Sequence, residues 1–400
     1  MPVSTAARVP LSRRAIARVR SGNPWIFRSD LPSETTPHAG IVHLVDEQGR
    51  FLASALSSSS SQIALRVISR EPLEEKQALT LLVERLRTAV AYRAAHYPSR
   101  DAFRIVFSEA DGLPGFIADK YHDVITVQVL TQFMDREDVR AALLGGLQST
   151  FPDCSMVERV DSRVRQLEEL PVIDSRLLRG ERTATRFRLN RLSFGFDALG
   201  GQKTGAFLDQ QQNYARAEEY AFGECLDVFT YHGGFALHLA RKCARVTGVD
   251  ASRAALETAE ANEQANRSDL ACPEIEWIEA DAFDLLKDLS HPQQGRRFDT
   301  IVLDPPAFAK SKRAVEGALR GYKEINLRAL KMLRPNGILV TNSCSFHVSA
   351  AEFQQALAAA AADAGRTVKI LEHRSAATDH PVVPTIPESD YLKSFICHVS

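Results

Sequence analysis

Apolar residues change their spacing twice along this chain, and the changes divide it into three parts. Over 1–72 they come in short runs closed by turn residues: Pro24-Trp25-Ile26-Phe27, then 40–45 before the turn at 46–49, then Phe51-Leu52-Ala53, then 63–68. Runs of this length predict the strands of a small β-rich module. The serines at 57–61 read as a flexible, low-complexity connection between two of them. From Leu73 the spacing becomes helical, with Leu79, Leu82, Val83, Leu86 and Val90 on one face. Strands at 103–107, 116–118 and 124–129 and a helix over 138–149 follow, so 73–190 is expected to be a small α+β domain.

From 191 to 400 strand and helix patterns alternate, which predicts a parallel, doubly wound α/β sheet with helices on both faces. Seven strands are placed at 225–230, 245–250, 275–279, 298–304, 337–343, 367–373 and 391–399. The helix between the fourth and fifth carries Leu319, Tyr322, Asn326, Leu330 and Leu333 on one stripe, with Pro335-Asn336-Gly337 as its stop.

Composition narrows the class without naming a chemistry. A hydrophobic fraction of 44% and a charged fraction of 25% are those of a globular chain, and no apolar run approaches a membrane span. The first thirty residues hold six arginines but no apolar stretch behind them, so no secretory signal is expected and cytoplasmic residence is the default. Net charge is −1, yet Arg8, Arg13, Arg14, Arg18, Arg20 and Arg28 face only Asp30 before Glu34. That local excess favours a polyanion more than the overall balance does. The six cysteines are scattered without a C-x-x-C pair, which points away from a metal site and from a disulfide framework.

The first strand of the α/β region runs through Asp227-Val228-Phe229 into Tyr231-His232-Gly233-Gly234-Phe235 and an apolar helix. Gly233 and Gly234 allow a ligand to approach backbone, but the third glycine of a dinucleotide turn is missing. Asp250, closing the second strand, is placed to accept hydrogen bonds from two ribose hydroxyls. Asp281, after the third, is placed with Phe283 to hold an exocyclic amine and a purine face. Each acid alone reads equally well as a helix cap, whereas together they favour an adenosyl ligand. A turn not built around pyrophosphate suits S-adenosylmethionine (SAM) better than NAD.

Two strand ends carry the candidate chemistry: Asp304-Pro305-Pro306 after the fourth strand and Ser343-Cys344-Ser345 after the fifth. Strands lie about 5 Å apart, so neighbouring ends can flank one extruded base. Carbon 5 of cytosine is a poor nucleophile until a thiolate adds at carbon 6, and Cys344 is the candidate for that addition. The site is expected to stabilise its thiolate. Asp304 is the candidate for protonating or hydrogen-bonding N3, and is counted among the cofactor contacts with Phe229. A cysteine is most often a buried filler, but this one sits where open α/β sheets place ligands. Pro305 and Phe308 are assigned to the substrate, Phe308 as a stacking ring. Core packing is the commoner fate of a phenylalanine.

In this order these residues resemble the PUA-domain methyltransferases that form 5-methylcytosine in large-subunit ribosomal RNA, over nearly the whole chain. Asn23-Pro24-Trp25-Ile26-Phe27 matches the PW-[IV]-F signature of the RNA-binding PUA module. Glu109-Ala110-Asp111-Gly112-Leu113-Pro114-Gly115 matches E-x-DGLPG. The segment from Lys203-Thr204-Gly205 to Phe207-Leu208-Asp209-Gln210 resembles KTG-x-[FY]-LDQ, which implies a flap over the cofactor made by Lys203, Phe207 and Asp209. Gly233-Gly234-Phe235, Asp304-Pro305-Pro306, Arg320-Gly321-Tyr322-Lys323, Ser343-Cys344-Ser345 and Asp379-His380-Pro381 also line up. The family's nucleophile falls on Cys344. By the same analogy the last strand runs antiparallel, as in class I methyltransferases. Departures at Ala307 (lysine in the family), Gln211 (arginine) and His232 (threonine) bear on substrate contacts more than on chemistry.

The resemblance implies large-subunit rRNA as partner, contacted by Arg13, Arg14, Arg18 and Trp25, with no membrane and with a homodimer left open. The rivals are a guanine N-methyltransferase, which needs no thiol, a pyridine-nucleotide oxidoreductase, and a non-catalytic RNA-binding protein.

Overall fold

The computed structural model describes residues 6–31, 39–97, 101–200 and 207–400. It forms two compact units, one of 1–185, 196–205 and 379–387, the other of 186–195, 206–378 and 388–400. The parts set out above as 1–72 and 73–190 keep separate sheets but fall almost wholly within the first unit.

In the first unit β1 (Ala7–Pro10), α1 (Arg13–Arg20), β2 (Trp25–Phe27), β3 (Gly40–Val45), β4 (Phe51–Ser57) and β5 (Ile63–Ser69) form the β-rich module. Its sheet runs β1-β3-β4-β5-β2, with only the β1–β3 pair parallel. The apolar-run reading missed α1 because arginines separate its small buried face of Ala15, Ile16 and Val19. Ser12 caps the helix by accepting the Ala15 N–H at 3.3 Å. The serine run is not a flexible connection. Ser58 and Ser61 are buried, Ser58 Oγ donates to Glu168 Oε2 at 2.8 Å, and Arg28 Nη2 donates to the Ser58 and Ser61 carbonyls. Small hydroxyls satisfying buried polar groups give the segment its order.

The second sheet of this unit follows: α2 (Glu75–His96), β6 (Ala102–Phe107), β7 (Phe116–Tyr121), β8 (Val124–Val129), α3 (Glu137–Thr150), β9 (Ser155–Glu158), α4 (Ser162–Leu167) and β10 (Arg176–Arg179). Its order is β10-β9-β8-β7-β6. The buried stripe of α2 is Ala78, Leu82, Leu86, Ala89 and Arg93, while Leu79, Val83 and Val90 are half-buried. Arg93 tolerates burial because Asp111 Oδ1 lies 2.5 Å from its Nη1 and the Arg104 carbonyl 3.1 Å from its Nε. The 109–115 string is a turn. Gly115 has φ +78°, and a Cβ there would meet Thr131 Cγ2 at 2.3 Å, which excludes a side chain. After it, β11 (Ala184–Leu189) and β12 (Leu192–Asp197) form a hairpin.

The second unit holds α5 (Gln211–Tyr220), β13 (Glu224–Val228), α6 (Gly234–Ala240), β14 (Arg245–Asp250), α7 (Arg253–Ala265), β15 (Glu276–Glu279), α8 (Ala282–Leu289), β16 (Phe298–Leu303), α9 (Val315–Met332), β17 (Leu333–Ser343), α10 (Ala350–Ala364), β18 (Val368–Arg374) and β19 (Lys393–Val399). The seven strands lie in the order β15-β14-β13-β16-β17-β19-β18. All expected strands are present, and β19 is antiparallel to both neighbours while the β15-to-β17 pairs are parallel. Apolar side chains on both faces make this core, with Leu226, Val228, Ile301, Leu303 and Leu339 buried against α9 and α10. Helix α9 keeps Tyr322, Asn326 and Leu330 inside but ends at Met332. Leu333 and Pro335-Asn336-Gly337 begin β17 instead of stopping the helix, and Asn336 takes φ +66°. Chain order reverses between β13 and β16, so a crevice opens at their carboxyl ends, the usual ligand position in such sheets.

Candidate active site

The crevice is built from four strand ends. β13 ends at Val228 because Phe229 turns to φ +67°, followed by Tyr231 at +51° and Gly233 at +81°. Two non-glycine residues held left-handed mark a strained, tightly specified turn. Gly233 is the N-cap of α6, and a Cβ on Gly234 would stand 2.6 Å from the Tyr214 ring. The tightness of Gly234 thus comes from protein packing as well as from any ligand.

Asp227 is the residue that sequence reading passed over. It is fully buried in β13, its Oδ2 accepts Thr230 Oγ1 at 2.5 Å and Ala236 N at 2.9 Å, and its Oδ1 has no partner among the described residues. The available signal was an acid set between Cys225-Leu226 and Val228 in the buried stretch of the strand. Burial, with Asp250 adding to it, pushes its carboxyl up to about 7 against those two hydrogen bonds. At β14, Asp250 Oδ2 accepts Tyr231 N and Oδ1 accepts Ser252 N, each at 2.9 Å, leaving lone pairs for further donors. Asp281 is exposed, and its Oδ1 caps α8 through Phe283 N and Asp284 N, so the cap reading holds there. Phe283 packs toward Phe308 at 5.7 Å.

Asp304 follows β16, whose Leu303 pairs with Val228 on one side and Thr341 on the other. Its N–H donates to the Val228 carbonyl at 3.2 Å, and its Oδ1 accepts from Gln210 Nε2 at 2.8 Å. Behind Gln210, Asn213 Nδ2 donates to Gln210 Oε1 at 2.7 Å, and Arg374 Nε donates to Asn213 Oδ1 at 2.9 Å. Burial, then Asp227 and Asp209, push the Asp304 carboxyl well above its ordinary range, with the Gln210 bond opposing. Asp209 itself accepts from Tyr391 Oη at 2.6 Å, and Phe207 lies 5.1 Å from the Tyr231 ring. Lys203 lies outside the described residues.

Cys344 stands just past β17 and is half-buried, with Sγ 3.6 Å from the Pro305 carbonyl oxygen. The fourth and fifth strand ends therefore do meet. The expected thiolate stabilisation is outweighed: burial, then Asp304 and Asp209, push the thiol up to about 12 against the opposing pull of Lys393 and a backbone hydrogen bond. Ser345 fixes the loop, accepting Ala309 N at 3.1 Å and sharing a 2.7 Å bond with Tyr322 Oη. Pro305 is buried. Phe308 is wedged against Tyr322 at 4.7 Å and Phe283, so core packing engages the ring expected to stack on the substrate.

The basic residues of the first unit are also more occupied than their sequence suggests. Arg18 donates to Asp30 at 3.0 Å and lies over the Phe27 ring. Arg13 donates to Glu47 at 2.9 Å, and Arg14 stands 3.6 Å from Asp30. Trp25 spends its indole N–H on Glu109 at 3.0 Å. Asp379 belongs to this unit too. It accepts Arg104 N at 2.9 Å and lies 3.0 Å from His380 Nδ1.

An adenosyl sulfonium fits the crevice chemically. Asp227 offers an unpartnered buried oxygen, Asp250 a carboxylate for a ribose diol, and Asp209 a further carboxylate near Asp304. A buried acid at about 7 also carries a stability signature. Between about pH 4 and 7 the folded protein keeps a proton that the unfolded chain has lost, so stability falls as pH rises through that window. Asp227→Asn escapes this loss. Its stability relative to wild type is expected to improve by up to about 4 kcal/mol from pH 4 to pH 8 in denaturant unfolding, while SAM binding weakens. A difference independent of pH would contradict the buried-carboxylate description.

Sheet order, strained glycine turn and acidic crevice together define a methyltransferase domain of the SAM-binding kind. Family profiles agree, with a PUA-like domain matched at residues 9–70 and an S-adenosylmethionine-dependent methyltransferase at 128–388. The chain is similar to the ribosomal RNA large subunit methyltransferase I of Klebsiella pneumoniae subsp. pneumoniae, 37% identical and covering 94% of each chain. It is similar also to that of Salmonella arizonae, 35% identical over 98% of this chain and 97% of the other. Among solved structures, a Streptococcus mutans protein described as a candidate SAM-dependent methyltransferase superposes with a TM-score of 0.82 at 20% identity, covering 98% of this chain and 100% of that one. The chain belongs to the ribosomal RNA large subunit methyltransferase I family and is a SAM-dependent methyltransferase. No helix among the described residues is long and apolar enough to cross a membrane.

Proposed function

We propose that this enzyme methylates carbon 5 of a cytosine in large-subunit ribosomal RNA by covalent catalysis from Cys344. The observation that carries the reading is the 3.6 Å approach of Cys344 Sγ to the Pro305 carbonyl, which puts a thiol beside Asp304 at the switch point of the sheet. The relatives' names supply the RNA class. When bound, SAM supplies an electrophilic methyl group. The protein's part is to hold the base, to add sulfur at carbon 6 as N3 takes a proton and, once carbon 5 carries the methyl group, to lose the carbon 5 proton as the carbon–sulfur bond breaks and the thiolate is released. A carboxyl that keeps its proton to unusually high pH can donate to N3 as negative charge develops there, which suits the environment of Asp304. Burial and the neighbouring acids favour the protonated thiol, so attack by Cys344 requires that this proton be lost.

The test is nucleoside mass spectrometry of large-subunit rRNA from cells lacking the protein, compared with the same RNA after treatment with enzyme and SAM. The expected outcome is loss of one 5-methylcytosine and its restoration. A missing N-methylguanine would overturn the reading in favour of the thiol-free rival.

A further inference from the structure

Lys393 opens β19 directly across from Ser343 of β17, one residue from Cys344. It is 3% exposed, an uncommon place for an ammonium group. Its Nζ donates to the Ser345 carbonyl at 2.7 Å and to the Tyr391 carbonyl at 2.8 Å. Two of its three N–H bonds therefore clamp the two segments that flank the thiol: the loop after β17 and the residues before β19. We propose that Lys393 is the positioning residue of the nucleophile, fixing the Cys344 loop through Ser345 and providing the cation against which the thiolate forms. This rests on the covalent reading of the site given above.

The surroundings leave the role open to few other groups. Facing Cys344 are Asp304 from the end of β16, Asp209 from the turn before α5, and the Tyr322 hydroxyl from α9. The two carboxylates oppose ionisation of the sulfur, and Lys393 favours it. Facing Lys393 are Cys344, Asp390 just before β19 and Glu352 from α10. Burial draws the ammonium down to about 8, and Cys344, then Asp390 and Glu352, act against that shift. Neither carbonyl bond requires a charge at this point. An uncharged donor would serve a purely structural clamp without the cost of desolvating an ammonium.

The experiment is the pH profile of iodoacetamide alkylation at Cys344, followed by peptide mass spectrometry on the full chain without RNA. Lys393→Met is expected to slow alkylation at pH 8 about tenfold or more, as loss of a near opposite charge does, while SAM still binds. Lys393→Arg is expected to recover most of the rate. A folded, SAM-binding Lys393→Met protein with the wild-type profile would overturn the proposal. Should Lys393→Met not fold, Cys344→Ser tests the same linkage from the other side. Removing the thiol is expected to move the Lys393 titration, read by carbon-13 NMR of the labelled side chain, to lower pH. An unchanged titration would overturn the proposal. If the cytosine reading failed, the RNA product would differ while this coupling persisted, so the two failures are distinguishable.

Discussion

Cys344→Ala is expected to lower single-turnover methyl transfer by about four orders of magnitude or more, as loss of a covalent nucleophile does. SAM affinity is expected to be unchanged, because the residues fitted to the cofactor sit on other strands: Asp227 on β13 and Asp250 on β14. Fold stability is expected to fall by only about 1 kcal/mol, since the half-buried side chain gives up one weak contact to Pro305. Equilibrium binding and labelled-methyl transfer measured on one preparation separate the two effects. Transfer at the wild-type rate would mean that sulfur takes no part in the chemistry.

Asp304→Asn is expected to move two observables in opposite directions. Methyl transfer falls by about a hundredfold to a thousandfold, because an amide cannot give N3 a proton as the adduct forms. At a pH high enough to ionise Asp304 in the wild type, alkylation of Cys344 becomes faster, because the variant removes the carboxylate that, after burial, contributes most to holding the thiol proton in place. A variant that merely disturbed the loop would slow both. The hydrogen bond from Gln210 Nε2 can persist to the amide oxygen, so the network through Asn213 and Arg374 is expected to survive.

Much of this was legible in the chain, for identifiable reasons. Over 191–400 the inner strands of the large sheet were placed by apolar runs such as Ile301-Val302-Leu303 and Ile338-Leu339-Val340, which burial on both faces leaves, and the edge strands β15 and β18 by their place in the strand–helix alternation. The strand end at Asp304 was readable because the acid follows directly on Ile301-Val302-Leu303, and that at Cys344 because Thr341-Asn342-Ser343 closes the run of Ile338-Leu339-Val340 just before it. What stayed hidden was set by tertiary context. Helix α1 buries only three small apolar side chains among arginines, and the serine loop owes its order to Arg28 and Glu168, both remote in sequence. Lys393 carried no signal in the sequence, and only its burial and two carbonyl contacts mark it out. Arg18 and Trp25 carried signals of RNA contact that their partners Asp30 and Glu109 account for structurally.

On the proposed mechanism a covalent bond forms between the Cys344 sulfur and carbon 6 of the target cytosine. An rRNA fragment carrying 5-fluorocytosine at the methylated position tests it most directly, because fluorine at carbon 5 cannot leave as a proton does and the adduct persists. The expected product is a denaturation-resistant protein–RNA species, dependent on SAM, whose crosslinked peptide contains Cys344. Efficient methylation of the unmodified fragment with no such species from the fluorinated one would contradict the mechanism.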